Sequence, residues 1–168
     1  MGIALKPALL ALDLQNDFFG DDNPNLAGFQ ATVPVINSAI GLFREHDCPV
    51  VFVQHVSLSK PAGSPAWGIH AGFCCHAEDA RLSKTYANAF WNTELDALLV
   101  SHRVDFVALS GYLAEQCVLS TLRGAYERGF RGAILERSIA SLDERLTRFT
   151  LAISGHISLE AFKADMGW

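Results

Sequence analysis

Residues 104–129 read VDFVALSGYLAEQCVLSTLRGAYERG, and their pattern is the strongest indication of the fold class in this sequence. It opens with the short apolar run Val104–Leu109, which is typical of a strand that is covered on both faces. Apolar residues then recur at spacings of four and three, the pattern of a helix with one apolar face: Val118, Leu122 and Ala125. A strand followed closely by an amphipathic helix is one unit of a parallel α/β sheet.

The same alternation extends along the rest of the chain. Three further apolar runs predict strands: Ala8–Leu12, Pro49–Val53 and Gly132–Leu135. Helical spacing recurs over residues 36–43 with Pro34 in the first turn, over 95–99 after a Thr93 cap, and over 142–153 after a capping box of Ser141 and Glu144. We therefore predict a three-layer α/β/α sandwich with a mostly parallel, Rossmann-like sheet, formed as a single domain over residues 1–168.

The composition narrows the possible partners. The chain has 168 residues, a formal net charge of −5 and 50% hydrophobic residues, so it is not disordered. We expect no membrane and no nucleic-acid partner, because no uninterrupted apolar stretch reaches about 18 residues and the net charge is acidic. Only 18% of the residues are charged, against about 25% in an average protein, so we expect a homo-oligomer that covers part of the surface.

The N-terminus and the cysteines suggest a compartment. Residues 1–15 contain a short apolar run without a small-residue cleavage pattern, which predicts a buried strand and not a signal peptide. The four cysteines, Cys48, Cys74, Cys75 and Cys117, contain no CxxC pair, and a chain of this length needs no disulfide bonds. A reduced, cytoplasmic protein is the expectation.

Ligands of parallel α/β sheets bind at the carboxyl ends of the strands, and the side chains that follow each strand are expected there. Asp13 follows the first strand, His55 the second, and Lys84 a short segment at 81–83. Cys117 lies near the start of the helix after the strand at 104–109. The sequence thus places an acid, a lysine and a cysteine on one edge of the sheet.

Cys117 is the candidate nucleophile of this group. Unpaired amides and the positive end of the helix dipole favour a thiolate at a helix N-terminus, and a nearby Lys84 would lower the thiol pKa further. Asp13 could take the thiol proton and return it to a leaving group, while amides at 113–117 could form an oxyanion hole. A small buried core cysteine is the alternative interpretation.

Three segments, in order, resemble the isochorismatase-like cysteine hydrolases, a family with nicotinamidases and N-carbamoylsarcosine amidohydrolase-type enzymes. They are DLQNDF at 13–18, KTYANAFWNTEL at 84–95, and GYLAEQCVLSTLRGAYERG at 111–129. The resemblance implies a six-stranded parallel sheet with helices on both faces. It further implies hydrolysis of a small-molecule amide through an acyl-cysteine, with Asp13, Lys84 and Cys117 as the catalytic triad.

The same resemblance assigns roles around the triad. It implies a cis peptide bond between Tyr112 and Leu113, and an oxyanion hole made by the amides of Leu113 and Cys117. It also implies that Phe18 and Trp67 wall the substrate pocket, although both could equally be core aromatics. The family often has Thr or Ser where this chain has Ala114, so one hydroxyl at the helix start is missing.

We expect no metal and no cofactor. The nicotinamidase branch holds a metal with an Asp-x-His pair after the second strand and a later histidine, whereas here that strand ends in Val53-Gln54-His55 and His70 stands alone. His55 is therefore interpreted as a pocket or packing residue and Asp17 as a cap of its loop. The cluster Cys74–His76 has neither finger nor tetrahedral spacing, so we favour a loop tucked into an interface over a zinc site.

Two other functions remain open. One is the vinyl-ether hydrolysis of isochorismatase itself, but family members with that chemistry lack the cysteine, so Cys117 speaks against it. The other is a binding protein that keeps the fold without turnover, in which the long irregular segment 56–80 closes the pocket. That segment is otherwise expected to be a functional loop or lid. Because it would help to shape the pocket, the sequence does not identify the substrate.

Overall fold

The computed structural model describes residues 5–168 and is built around one six-stranded sheet. The strands are β1 (Pro7–Leu12), β2 (Val50–His55), β3 (Ala80–Lys84), β4 (Phe106–Tyr112), β5 (Arg131–Ala140) and β6 (His156–Ile157). Their order across the sheet is β3-β2-β1-β4-β5-β6, and every pairing is parallel. This confirms the predicted parallel α/β sheet.

Helices cover both faces of the sheet. They are α1 (Leu26–Glu45), α2 (Leu95–Ser101), α3 (Leu119–Glu127), α4 (Glu144–Ala152) and α5 (Leu159–Met166). All of β1 is buried, and its side chains alternate between two separate cores. Leu10 and Leu12 lie in the core that contains residues of α2 and α3, whereas Leu9 and Ala11 lie with residues of α1 and α5. The molecule is therefore the predicted three-layer sandwich.

α1 begins earlier than its sequence pattern predicts. Pro34 was expected in the first turn, but the helix already starts at Leu26 and Pro34 lies in its interior. A proline there leaves the carbonyl of Gln30 without its helical donor. Both Pro34 and Gln30 are exposed, so water can hydrogen-bond that carbonyl and the helix continues.

α1 also passes a simple test for a membrane span. It is twenty residues long, and its most apolar window has a mean hydropathy of 1.4, enough by length and composition to cross a membrane. Buried helices of α/β folds pass the same test. Here the apolar face that includes Phe29, Ile36 and Phe43 packs on the sheet.

The start of α4 also differs from its prediction. The cap is the side chain of Asp143, which accepts a hydrogen bond from the Arg145 amide at 2.9 Å. Ser141 is no part of a capping box, because its hydroxyl instead donates to Glu115 in the segment before α3. The predicted capping box of Ser141 and Glu144 is therefore wrong.

Residues 56–79, which connect β2 to β3, form no regular element. They are held to the loop after β1 by a bridge between Gln15 and Ile69 and by an ion pair of 2.7 Å between Lys60 and Asp17. Asp17 therefore forms an ion pair with the long loop, and the prediction that it caps the loop after β1 is wrong.

Phe73 and Trp168 are packed within the chain. Phe73 is buried against Phe19 at a ring distance of 5.7 Å, and Trp168 stacks on His46 at 4.1 Å. Cys74 is bound to α1 through its backbone, while its side chain is exposed. Subunit contact at Cys74–His76 stays a prediction.

Candidate active site

The site forms where the strand order reverses, between β1 and β4. Gly111 pairs with Leu12 across these strands and has a φ of +114°. A side chain at Gly111 would overlap the carbonyl oxygen of Leu12, so only glycine allows the backbones to approach this closely. Asp13 directly follows β1, and Cys117 lies in the helical segment Ala114–Val118 that comes after β4.

Asp13 leaves β1 in an unusual conformation. Its φ of +53° lies in the left-handed region, which turns the chain sharply at the end of the strand. The side chain is only 2% exposed, and its Oδ2 accepts a hydrogen bond from Lys84 at 2.9 Å. The other oxygen, Oδ1, has no hydrogen-bond partner among residues 5–168. One carboxylate oxygen is thus held and the other is free to take a proton.

Lys84 lies at the end of β3, and its side chain is fully buried. An ammonium has three N–H donors. The three acceptors are Asp13 Oδ2 at 2.9 Å, Cys117 Sγ at 3.1 Å and His55 Nδ1 at 3.2 Å. The register of the sheet pairs His55 with Lys84 on neighbouring strands, which brings their side chains together on one face.

Cys117 lies in the single π-helical turn Ala114–Val118 that leads into α3, and it is 8% exposed. Burial, and next the negative charge of Asp13, raise the pKa of Cys117 to about 12, while Lys84 opposes them. The expectation of a lowered thiol pKa is therefore wrong, because burial outweighs the ammonium and the helix start. The resting site holds a neutral thiol beside a free carboxylate oxygen.

The backbone before Cys117 has the arrangement that the family resemblance implied. The peptide bond between Tyr112 and Leu113 is cis. In the part of the chain that the structure describes, the Leu113 amide donates no hydrogen bond, and the Cys117 amide belongs to the first turn of the helical segment. A role of these two amides as an oxyanion hole stays a prediction.

One group of possible metal ligands exists among residues 5–168. Oxygen, nitrogen and sulfur atoms of Asp13, His55 and Cys117 lie within 4.8 Å of one another. The Lys84 ammonium contacts all three, so a positive charge already occupies their common neighbourhood and the residues do not fit a divalent metal. His70, which stood alone in the sequence, stacks on Phe19 at 3.9 Å.

The two predicted pocket aromatics have different surroundings. Phe18 is half-buried, stacks on Phe29 at 5.5 Å, and has the Lys60 ammonium 5.0 Å from its ring centre. Trp67 is held through its carbonyl, which accepts from Gln15 at 2.9 Å and Gln54 at 3.0 Å. The indole Nε1 of Trp67 is buried without a partner in the described chain. Contact of either ring with substrate stays a prediction.

The sequence interpretation missed Gln15, although it lies inside the first motif. Its side chain is fully buried and takes over the pairing with β2 where the β1 backbone turns away. The Gln15 amide accepts from the His55 N–H at 2.9 Å and donates to the His55 carbonyl at 3.0 Å. The sequence signal that could have identified Gln15 is its position, two residues after Asp13 at the end of a predicted strand.

Known proteins resemble this chain over most of its length. The description of the matching family is isochorismatase domain, and the match spans residues 7–153. Among relatives, isochorismatase family protein YddQ of Bacillus subtilis is 26% identical, covering 82% of this chain and 79% of that protein. Maleamate amidohydrolase of Pseudomonas putida is 27% identical, covering 83% of this chain and 74% of that enzyme.

Solved structures of isochorismatase-like proteins have the same fold as this chain. A crystal structure titled isochorismatase family protein has a TM-score of 0.84 at 27% identity and covers 93% of this chain and 100% of that chain. N-carbamoylsarcosine amidase from Thermoplasma acidophilum has a TM-score of 0.79 at 25% identity and covers 92% of this chain and 95% of that chain. With the fold, the order of the motifs and the family match in agreement, the chain belongs to the isochorismatase family of hydrolases.

Proposed function

We propose that this hydrolase cleaves the C–N bond of a small amide through a covalent acyl-cysteine on Cys117. The observation that carries the proposal is the buried ammonium of Lys84, which bonds Asp13 at 2.9 Å and Cys117 at 3.1 Å, while Asp13 Oδ1 has no partner among residues 5–168. A base, a thiol and a fixed positive charge are the parts that nucleophilic catalysis by cysteine needs.

In the first half-reaction, Asp13 takes the thiol proton as the Cys117 sulfur attacks the substrate carbonyl carbon. The carbonyl oxygen becomes an oxyanion, which the amides of Leu113 and Cys117 stabilise. Asp13 then gives the proton to the leaving nitrogen, and the C–N bond breaks. Ammonia or an amine leaves, and the acyl group remains on sulfur as a thioester.

In the second half-reaction, water replaces the amine. Asp13 takes a proton from the water as its oxygen attacks the thioester carbon. The C–S bond breaks, the acid product leaves, and the proton returns to the Cys117 sulfur. Lys84 stays an ammonium and transfers no proton in this cycle, and its positive charge balances the negative charge that moves between Asp13 and sulfur.

The cysteine distinguishes this reaction from vinyl-ether hydrolysis. Cys117 is hydrogen-bonded to Lys84 inside the cluster. A reaction that used only the acid and the lysine would not need this cysteine. The names of two relatives, maleamate amidohydrolase and N-carbamoylsarcosine amidase, support an amide substrate.

The test is ammonia release from a panel that contains maleamate, N-carbamoylsarcosine, nicotinamide and simple carbamoyl compounds. We expect the wild type to turn over at least one compound and Cys117→Ala to turn over none. Cys74→Ala, which removes an exposed thiol, serves as the control and should keep full activity.

Intact-mass measurement during turnover should find the acyl group on the wild type and not on Cys117→Ala. An active Cys117→Ala protein would contradict the acyl-cysteine mechanism. A wild type that turns over no amide in the panel would count against the proposed substrate class.

A further inference from the structure

We propose that His55 is a fourth member of the site, a positioning residue that accepts the third N–H of Lys84 and so aims the other two at Asp13 and Cys117. This inference rests on the proposed function for its catalytic consequence. Its geometric part stands independently, because it concerns only contacts inside the protein.

The count of donors and acceptors at Lys84 carries the argument. The ammonium is buried, so water cannot supply a missing acceptor. It has three hydrogens, and the structure places three acceptors around it: an oxygen of Asp13, the sulfur of Cys117 and the Nδ1 nitrogen of His55 at 3.2 Å. Without that acceptor one N–H would be buried and unpaired, and rotation to relieve it would weaken the bonds to Asp13 or Cys117.

The bond to Lys84 also fixes the form of the imidazole. Nδ1 can accept from an ammonium only with its lone pair, so the ring must be neutral and carry its proton on Nε2. Burial and next the charge of Lys84 lower the pKa of His55, with Lys60 acting in the same direction. The carboxylates of Asp13 and Asp17 oppose this shift.

A buried glutamine holds the backbone of His55 in place. Gln15 bonds both the backbone N–H and the backbone carbonyl of His55, at 2.9 and 3.0 Å, and so fixes the point at the end of β2 from which the imidazole projects. The remaining amide hydrogen of Gln15 goes to the Trp67 carbonyl at 2.9 Å. The carbonyl oxygen and both amide hydrogens of the Gln15 side chain are thus hydrogen-bonded, two of these groups to His55 and one to the long loop.

The sign of the pH effect follows from the neutral ring. Because the folded pKa of His55 lies below 6.5, the contact with Lys84 is complete above pH 6.5 and is lost as the pH falls through that lowered pKa. An imidazolium would place a second positive charge against the ammonium. Activity should therefore have an acid limb to which His55 contributes.

The first experiment is imidazole NMR of the whole protein, with the His55 signals assigned by their disappearance in His55→Asn. We expect a proton on Nε2, none on Nδ1, and titration below pH 6.5. Lys84→Met should raise the His55 pKa, because the ammonium is one cause of its depression. A ring protonated on Nδ1, or a titration that Lys84→Met leaves unchanged, would overturn the inference.

The second experiment separates an acceptor from a merely space-filling side chain. His55→Asn keeps an acceptor that does not titrate near neutral pH, whereas His55→Leu removes it. At pH 8 we expect His55→Leu to lose about tenfold or more in kcat with little change in KM, and His55→Asn to stay close to wild type. His55→Asn should also lose the histidine part of the acid limb. His102→Asn, at the end of α2, is the matched control.

Wild-type rate and pH profile in His55→Leu would refute a positioning role. Equal loss in the two His55 variants would also refute it, since Nδ1 would then not act as an acceptor. If no amide is turned over by the wild type, the proposed function fails, while the NMR measurement still decides the contact between His55 and Lys84.

Discussion

Two charged side chains compete for control of one thiol. The Cys117 sulfur lies beside the Asp13 carboxylate, which raises its pKa, and the Lys84 ammonium, which lowers it. Together with burial, Asp13 prevails, and the pKa rises to about 12. The resting protein therefore keeps the Cys117 thiol protonated, and the carboxylate that suppresses the thiolate is the group proposed to remove the proton in the reaction.

This competition predicts opposite effects of one substitution on reactivity and on catalysis. Asp13→Asn removes the negative charge that raises the Cys117 pKa but keeps the ammonium that lowers it. The pKa should fall, so thiolate should persist to lower pH and iodoacetamide should alkylate Cys117 faster at pH 8 than in the wild type. Amide turnover should fall by about 10²-fold or more, because the general base is lost.

Peptide mass spectrometry would follow each cysteine separately. Cys74, which is exposed, provides an internal reference whose alkylation should not change. Slower alkylation of Cys117 in Asp13→Asn would mean that the carboxylate already activates the resting thiol, contrary to the burial argument.

Among the elements, the connection from β2 to β3 is joined to the turn after β1 by several contacts, one of which is an ion pair. The Lys60 side chain is 8% exposed, and its carboxylate partner among the described residues, Asp17, is 32% exposed. The ammonium also lies over the Phe18 ring. The pair thus joins the long loop to the turn that carries a predicted pocket aromatic.

Removing either end of this pair should have unequal effects on stability. Asp17→Asn leaves a buried ammonium without its anion and should lower the free energy of unfolding by about 1–3 kcal/mol, measured by urea denaturation. Lys60→Met should cost less, because Asp17 can be hydrated. The double variant should resemble Lys60→Met.

Asp21→Asn, at an exposed aspartate in the same loop, is the control and should stay within about 0.5 kcal/mol of wild type. A double variant whose loss equals the sum of the two single losses would contradict an interaction between Lys60 and Asp17.

Local sequence patterns predicted the elements well where burial is symmetric. Strands buried on both faces appear as apolar runs, and β1 and β2 lie within a few residues of their predicted bounds. The start of α1 escaped because a proline on a solvated face costs less than one in a buried turn. The strands also placed Asp13, Lys84 and Cys117 on one edge, as the alternation of strands and helices implied.

What the sequence could not supply was the register between strands. His55 and Lys84 are distant in the chain, and only the pairing of β2 with β3 makes them neighbours. The Cys117 pKa was mispredicted for a related reason, since the depth of burial is a property of the assembled layers and not of a helix start.

At the scale of the molecule, α4 is oriented against the usual rule. Its apolar stripe faces outward, with exposures of 39–56% at Leu142, Leu146, Phe149 and Ile153. On its inner side, the hydroxyls of Thr147 and Thr150 are buried without partners among residues 5–168. Leu151 packs on the core, but the helix also buries these two hydroxyls and exposes a row of large apolar side chains, so the stripe is a candidate surface for contact with another molecule.

We propose that a second copy of the chain covers it, because a stripe on one helix can pair with itself about a two-fold axis. This agrees with the low content of charged residues. Sedimentation velocity at micromolar concentration should find a dimer or larger species for the wild type and a monomer for Phe149→Glu.

Leu58→Glu is the matched control, since Leu58 is a fully exposed leucine outside the stripe and should leave the assembly unchanged. A wild type that sediments as a monomer, or equal dissociation by both substitutions, would contradict self-association through α4.

The close approach of β1 and β4 at Gly111 has a consequence for how this enzyme can change. The backbones that lead to Asp13 and Cys117 touch at this point, so no larger side chain fits between the two strands unless they move apart. The contact constrains this one position of the backbone, and the long connection from β2 to β3 takes no part in it. If Gly111 is replaced by a larger residue, we expect that no second substitution elsewhere in the chain restores activity.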